Sequence, residues 1–189
     1  MSDRLTTDLA AALRAARTAQ GLSVNALAER SGVSRAMIAK VERGTAQPTA
    51  VLLGRLSAAL GLTLSELFAR TEERAPRLSR SADQHLWVDP QTGYRRRSVS
   101  PAGGAVQLVE VDLPPGAEVA YPADAYALAD HQIWVLQGHL RFQEGAVEHD
   151  LNPGDCLELG EPAPCSYRNV TDRPCRYVVI LSRRHRRPH

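Results

Sequence analysis

The chain has 189 residues, room for one large domain or two small ones, with 23 Lys/Arg against 21 Asp/Glu and a net charge of +2. No run of eighteen apolar residues exists and the opening MSDRLTTDL is polar, so neither a membrane span nor a signal peptide is expected. Three cysteines, an odd number, do not make a disulfide framework, so free thiols in a reducing cytoplasm are expected.

Up to about Arg70 the apolar period is helical: Leu5, Leu9, Leu13 and Ala16 recur every three or four residues, as do Leu52/Leu53, Leu56 and Leu60. Gly21, Gly32, Gly44 and Gly61 stand where helices should end, and Ser23, Ser34 and Thr49 where they should begin. Thr63-x-x-Glu66 has the spacing of a capping box. Five helices are predicted, at 5–19, 24–31, 35–43, 50–60 and 64–69. Ala28 is small where the second helix crosses the third, Gly32 makes the turn, and Ile38 and Val41 anchor the third helix inward. That leaves Arg35, Ala36, Met37, Lys40 (the chain's one lysine) and Arg43 outward, on a helix suited to the DNA major groove.

Residues 70–83 (RTEERAPRLSRSAD) offer little to bury and are expected to be a linker. Beyond them the period changes to two. AVQLVEVDL, HQIWVLQG, HLRFQ, DCLELG, CSYRN and CRYVVIL are strand candidates separated by Pro, Gly and Asn turns. Eight to eleven short strands without helix signals indicate a barrel or sandwich. Alternation places His131, Ile133 and Val135 on one face, with Cys165 and Tyr167 facing likewise; Leu140 and Phe142 join them, and Tyr121 and Tyr126 approach the mouth. Trp134 points outward, to be covered by a neighbouring strand or a second subunit, while Cys156 and Cys175 are expected to be buried. Charge divides the halves: residues 1–75 carry +3, whereas residues 101–181 hold four arginines against twelve acids. The basic tail 183–189 and the Arg95–Arg96–Arg97 run stand apart, the latter free to meet DNA or the acidic barrel.

The stretch GLSVNALAERSGVSRAMIAKVERGTAQPTAVLLGRLSAALGLTLSELF resembles the lambda-repressor-like (XRE-type) helix-turn-helix domain along nearly its whole length. The resemblance implies that Arg35 and Ala36 read bases, with Met37 and Lys40 on the same face. It makes Ser34, Arg43 and Thr45 phosphate contacts. Val24 replaces a common phosphate-contacting residue, moving that role to Ser23 or Asn25. DAYALADHQIWVLQG and GDCLELGEPAPCSYRN resemble the two motifs of a small cupin barrel, framed by Gly138, Gly154 and Asn169. The cupin metal ligands are replaced: His131 stands at the glutamate position, Asp124 and Tyr126 at the paired histidines, and Cys165 at the third histidine. No metal cofactor is therefore expected; Asp124, His131 and Cys165 are what remains of a ligand set. No catalytic set stands out.

Together these imply a two-domain α + β protein: a five-helix head over 1–69, the linker 70–83, and an all-β jelly-roll barrel over 84–182. The expected function is a non-enzymatic, homodimeric regulator, most simply a repressor, that binds double-stranded operator DNA. Its barrel would dimerise, bind a small-molecule effector through Tyr121, Tyr126, His131, Ile133, Phe142, Cys165 and Tyr167, or do both. A metal-dependent cupin enzyme with an appended DNA-binding domain and an antitoxin-like autorepressor are the alternatives.

Overall fold

The computed structural model describes residues 2–69 and 77–183, and side chains within 6–69 and 77–182. The side chains of Leu5 and Arg183, residues 70–76 of the expected linker and residues 184–189 of the basic tail therefore lie outside what is described. Five helices come first: α1 (Ser2–Ala19), α2 (Val24–Ser31), α3 (Arg35–Glu42), α4 (Ala50–Ala59) and α5 (Leu64–Ala69). Their starts are chemically marked. Ser23, Ser34 and Thr49 accept backbone N–H bonds from Ala26, Met37 and Leu52. Thr63 and Glu66 close a reciprocal capping box, at 3.0 and 2.8 Å. Gly32 ends α2 at φ 65°, a left-handed turn that sets α3 across α2.

Ten strands follow: β1 (Leu86–Val88), β2 (Arg95–Ser98), β3 (Val106–Leu113), β4 (Glu118–Tyr121), β5 (Ala129–Gln137), β6 (Leu140–Glu144), β7 (Val147–Leu151), β8 (Cys156–Glu158), β9 (Cys165–Arg168) and β10 (Cys175–Arg183). They form two antiparallel sheets, ordered β1-β2-β3-β10-β5-β8 and β4-β9-β6-β7, whose inward residues meet as one core. The expectation of no helix in this half is corrected in a small way by two short 3-10 turns, Ser81–Asp83 and Ala123–Tyr126. Cys175 is fully buried as expected, but Cys156 is exposed on edge strand β8, because alternation turns Leu157 inward in its place.

The helical bundle does not hang from the barrel by a tether. Helix α4 packs against β4 and the 3-10 turn at Ala123–Tyr126. Its first N–H, on Ala50, donates to Asp89 Oδ1 at 3.0 Å, so a buried carboxylate from the barrel meets the positive end of the helix. The other oxygen of Asp89 accepts from Thr92. From α5, Phe68 packs on Trp87 with ring centres 5.9 Å apart. The buried apolar residues of both halves form one continuous cluster.

Gly54, in the interior of α4, marks how close this approach is. A Cβ there would lie 2.6 Å from Cδ1 of Tyr121. Alanine is ordinarily the better helix residue by about 1 kcal/mol. Here Gly54→Ala is expected to destabilise the protein by about 1–3 kcal/mol in urea unfolding, because the ring must give way. The loss should shrink when Tyr121 is also replaced by Leu. Unchanged or raised stability in Gly54→Ala alone would contradict the close docking.

Candidate nucleic-acid interface and interdomain chamber

The outward side of α3 is built by burying its other side. Ile38 is 0 % and Val41 2 % exposed, and both are locked into the bundle. A chelate between Arg17 of α1 and Glu42 fixes the helix end: Nε to Oε1 at 2.6 Å and Nη2 to Oε2 at 2.8 Å, with Nη1 on the Leu22 carbonyl. Opposite this anchor, Ser34, Arg35, Ala36, Met37, Lys40 and Arg43 are all exposed, as are Ser23, Asn25 and Thr45 beside them. Arg35 Nη1 reaches Asn25 Oδ1 at 3.4 Å, so those two side chains share one patch. Neither α2 nor α3 has an acidic residue in its first turn, which leaves both helix N-termini free to attract anions. Arg35 leads α3 from that end.

The barrel residues divide in a way the sequence did not separate. Tyr121, Tyr126, His131 and Tyr167 line a chamber of about 70 Å³. Ile133, Phe142 and Cys165, expected beside them, do not: all three are packed into the barrel core. The chamber is also not enclosed by the barrel alone. Gly54 and Ser57 of α4 and Thr63, Leu64 and Ser65 around the start of α5 form one wall. Tyr94, Arg96 and Tyr177 complete the barrel side, so all five tyrosines of the sequence face this space. Tyr126 Oη donates to Tyr167 Oη at 3.5 Å, and Tyr167 stacks on Tyr177 with ring centres 5.5 Å apart.

Arg96 is 4 % exposed. Its guanidinium donates to Ser65 Oγ across the seam and to Ser98 Oγ at 3.4 Å, and lies 4.8 Å above the Phe68 ring. Burial pulls its pKa down, opposed by Tyr94 and Tyr121, yet an arginine stays charged at any physiological pH. Of the arginine run, then, Arg96 serves the seam. Arg97 turns to Glu110 on the barrel at 3.7 Å, and Arg95 is exposed opposite Asp112.

The three residues expected at the altered ligand positions differ in exposure. Asp124 is exposed, whereas His131 and Cys165 are buried, and no group of three His, Cys, Asp or Glu able to hold an ion exists among the described residues. Burial pushes the Cys165 thiol up to about 12, and its Sγ donates to the Ala163 carbonyl at 3.2 Å. The same protonated state argues against a redox-sensing thiol.

A basic, outward third helix and a two-sheet barrel define the class: a helix-turn-helix DNA-binding protein with a C-terminal β-barrel. Residues 13–67 match the family described as Helix-turn-helix. The chain is 27% identical to the HTH-type transcriptional regulator SutR of Escherichia coli (strain K12), across 92% of this chain and 93% of that one. It is 42% identical over 91 residues to the HTH-type transcriptional regulator SlrR of Bacillus subtilis (strain 168), and spans 60% of that protein's length. The crystal structure of an HTH_3 family transcriptional regulator from Vibrio cholerae superimposes with a TM-score of 0.79 at 22% identity, covering 98% of this chain and all of that one. The chain is a DNA-binding transcriptional regulator with a helix-turn-helix domain over residues 13–67 and a two-sheet β-barrel behind it.

His131 offers a test of the chamber's burial. Its imidazole is held below the usual value of 6.5 by burial, partly offset by its Nδ1 contact with the Ala129 carbonyl and by Asp130. The folded protein therefore takes up that proton less readily than the unfolded chain. The stability this residue contributes is complete above pH 6.5 and is lost as the pH falls below it, at up to about 1.4 kcal/mol per pH unit. Urea unfolding at pH 7.5 and 5.5 is expected to show a shallower acid-side loss in His131→Leu than in the parent. Equal losses would contradict a buried neutral imidazole.

Proposed function

We propose that the protein is a homodimeric repressor that reads a near-palindromic operator through α3 and responds to a small molecule held in its second domain. The observation that carries this reading is the exposed Arg35, at the start of a helix whose opposite side is locked into the bundle. A guanidinium there can pair bidentately with guanine O6 and N7. Asn25, Ala36, Met37 and Lys40 are the other base-edge candidates. Ser23, Ser34, Arg43 and Thr45 flank them as phosphate contacts. Repression asks least of this architecture, since occupying an operator requires no further surface.

Two arguments favour a homodimer. One head reads only a few base pairs, while two heads about 34 Å apart read both halves of a palindrome. The outer face of the larger sheet also carries an apolar strip that a second copy would cover. Trp134, 45 % exposed, pairs with Val178, and Ile180 pairs with Leu108 two residues along. The acidic barrel would keep the chain from settling on DNA by any side but the head. We place the protein in the cytoplasm, without a metal cofactor and without catalytic activity; the outward exposure of Asp124, against the burial of His131 and Cys165, supports that reading over a cupin enzyme.

Arg35→Ala tests it. Against an operator selected from random duplexes with the full chain, affinity is expected to fall about 5- to 150-fold, equivalent to about 1–3 kcal/mol. The unfolding midpoint should stay where it was. Unchanged operator affinity would show that α3 is not the reading element.

A further inference from the structure

We propose that the chamber between α4–α5 and the barrel binds a small organic monoanion, a short-chain carboxylate, with Arg96 as its counter-ion. This deepens the effector reading given above and rests on it for its regulatory meaning, though not for the binding itself. Three observations converge. Arg96 is a buried cation that has no carboxylate among its hydrogen-bond and ion-pair partners in the described residues; two serines and an aromatic ring are its neighbours. An enclosed charge left in that state is costly, and an anion in the adjoining space would offset the cost. Tyr121 Oη is enclosed and interacts with Tyr94 and Arg96, so a neutral phenol faces the space beside the cation. Finally, no Asp, Glu, Asn or Gln lines the chamber.

These features select the ligand's chemistry. The five phenols keep their protons, so the lining offers neutral hydroxyls, a neutral imidazole and one guanidinium, and carries no negative charge. An amine or polyamine would meet Arg96 with no acid to hold it. A dianion would need a second cation, and His131, the other titratable base in the lining, is held neutral by burial. A planar carboxylate matches the guanidinium fork and leaves no charge over. Val109, Val119, Val179 and Leu181 supply an apolar wall for its hydrocarbon end. A chamber of about 70 Å³ restricts that end to a few carbons. The site also spans the seam: Ser57, Thr63 and Ser65 come from the helical head and the tyrosines from the barrel. A ligand that touches both walls favours the docked arrangement over any parted one, which is the differential affinity that effector control requires.

The test uses full-length protein labelled with 3-fluorotyrosine, since all five tyrosines report on the chamber. Acetate, propionate and butyrate would be titrated by fluorine NMR beside the matched amides, propylamine and inorganic phosphate at pH 8. Calorimetric melting of unlabelled protein would run in parallel. The carboxylates are expected to move several fluorine signals saturably and to raise the melting temperature; the amides, amine and phosphate should do neither at equal concentration. Arg96→Gln should weaken carboxylate binding at least tenfold. Tyr121→Phe, which removes one hydroxyl and keeps the ring, should weaken it several-fold in a protein that still folds. Carboxylates that bind no better than amides, preferential binding of phosphate or amine, or Tyr121→Phe binding as tightly as the parent would each overturn the assignment. The readout contains no DNA, so failure of the reading head would leave this result untouched.

Discussion

Helix α4 belongs to two cores at once, and most of the molecule's behaviour follows from that. One side of it buries Leu53 and Leu56 within the helical bundle. Its N-terminus rests on Asp89 of the barrel, and Gly54 lets Tyr121 approach to a distance that any side chain would forbid. The reading helix α3 is carried by the same bundle, since α2 packs on both α3 and α4. Position is therefore passed from barrel to α4, from α4 to α2, and from α2 to the surface that faces DNA.

This changes where control has to act. A flexible linker can carry an effector signal only by changing reach or orientation entropy. A packed seam can carry it through two discrete arrangements of side chains. The chamber lies in that seam, with Arg96 at its edge bonded across it to Ser65. Direct contacts thus join head and barrel without recourse to the linker expected over residues 70–83. The barrel side of that seam presents phenols and an imidazole held below its usual pKa by burial, with a thiol that keeps its proton in the core beyond.

The helical half was almost wholly legible in the sequence because its boundaries are chemically local: Ser23, Ser34, Thr49 and the Thr63–Glu66 pair cap the helices the spacing predicts. The long strands β3, β5 and β10 were legible from alternation. β1, β2, β4 and β7 were not singled out, being short or, in RRRS, without an apolar residue. Part of the chamber was visible for the same reason, since period two aligned His131 with Tyr167 and left Tyr121 and Tyr126 at the mouth. Arg96, Tyr94, Tyr177, Ser57 and Ser65 stayed hidden because they meet only when two domains dock. A weak signal did exist: in a strand, the middle of three arginines must face opposite to its neighbours. Composition alone made that triplet look like a solvated patch.

The claim that head and barrel are one body is tested most directly by calorimetric unfolding of the full chain. A continuous core and a seam without slack predict a single transition whose calorimetric and van't Hoff enthalpies agree. Two resolved transitions, one for the helices and one for the barrel, would contradict it and return the halves to independent domains on a string.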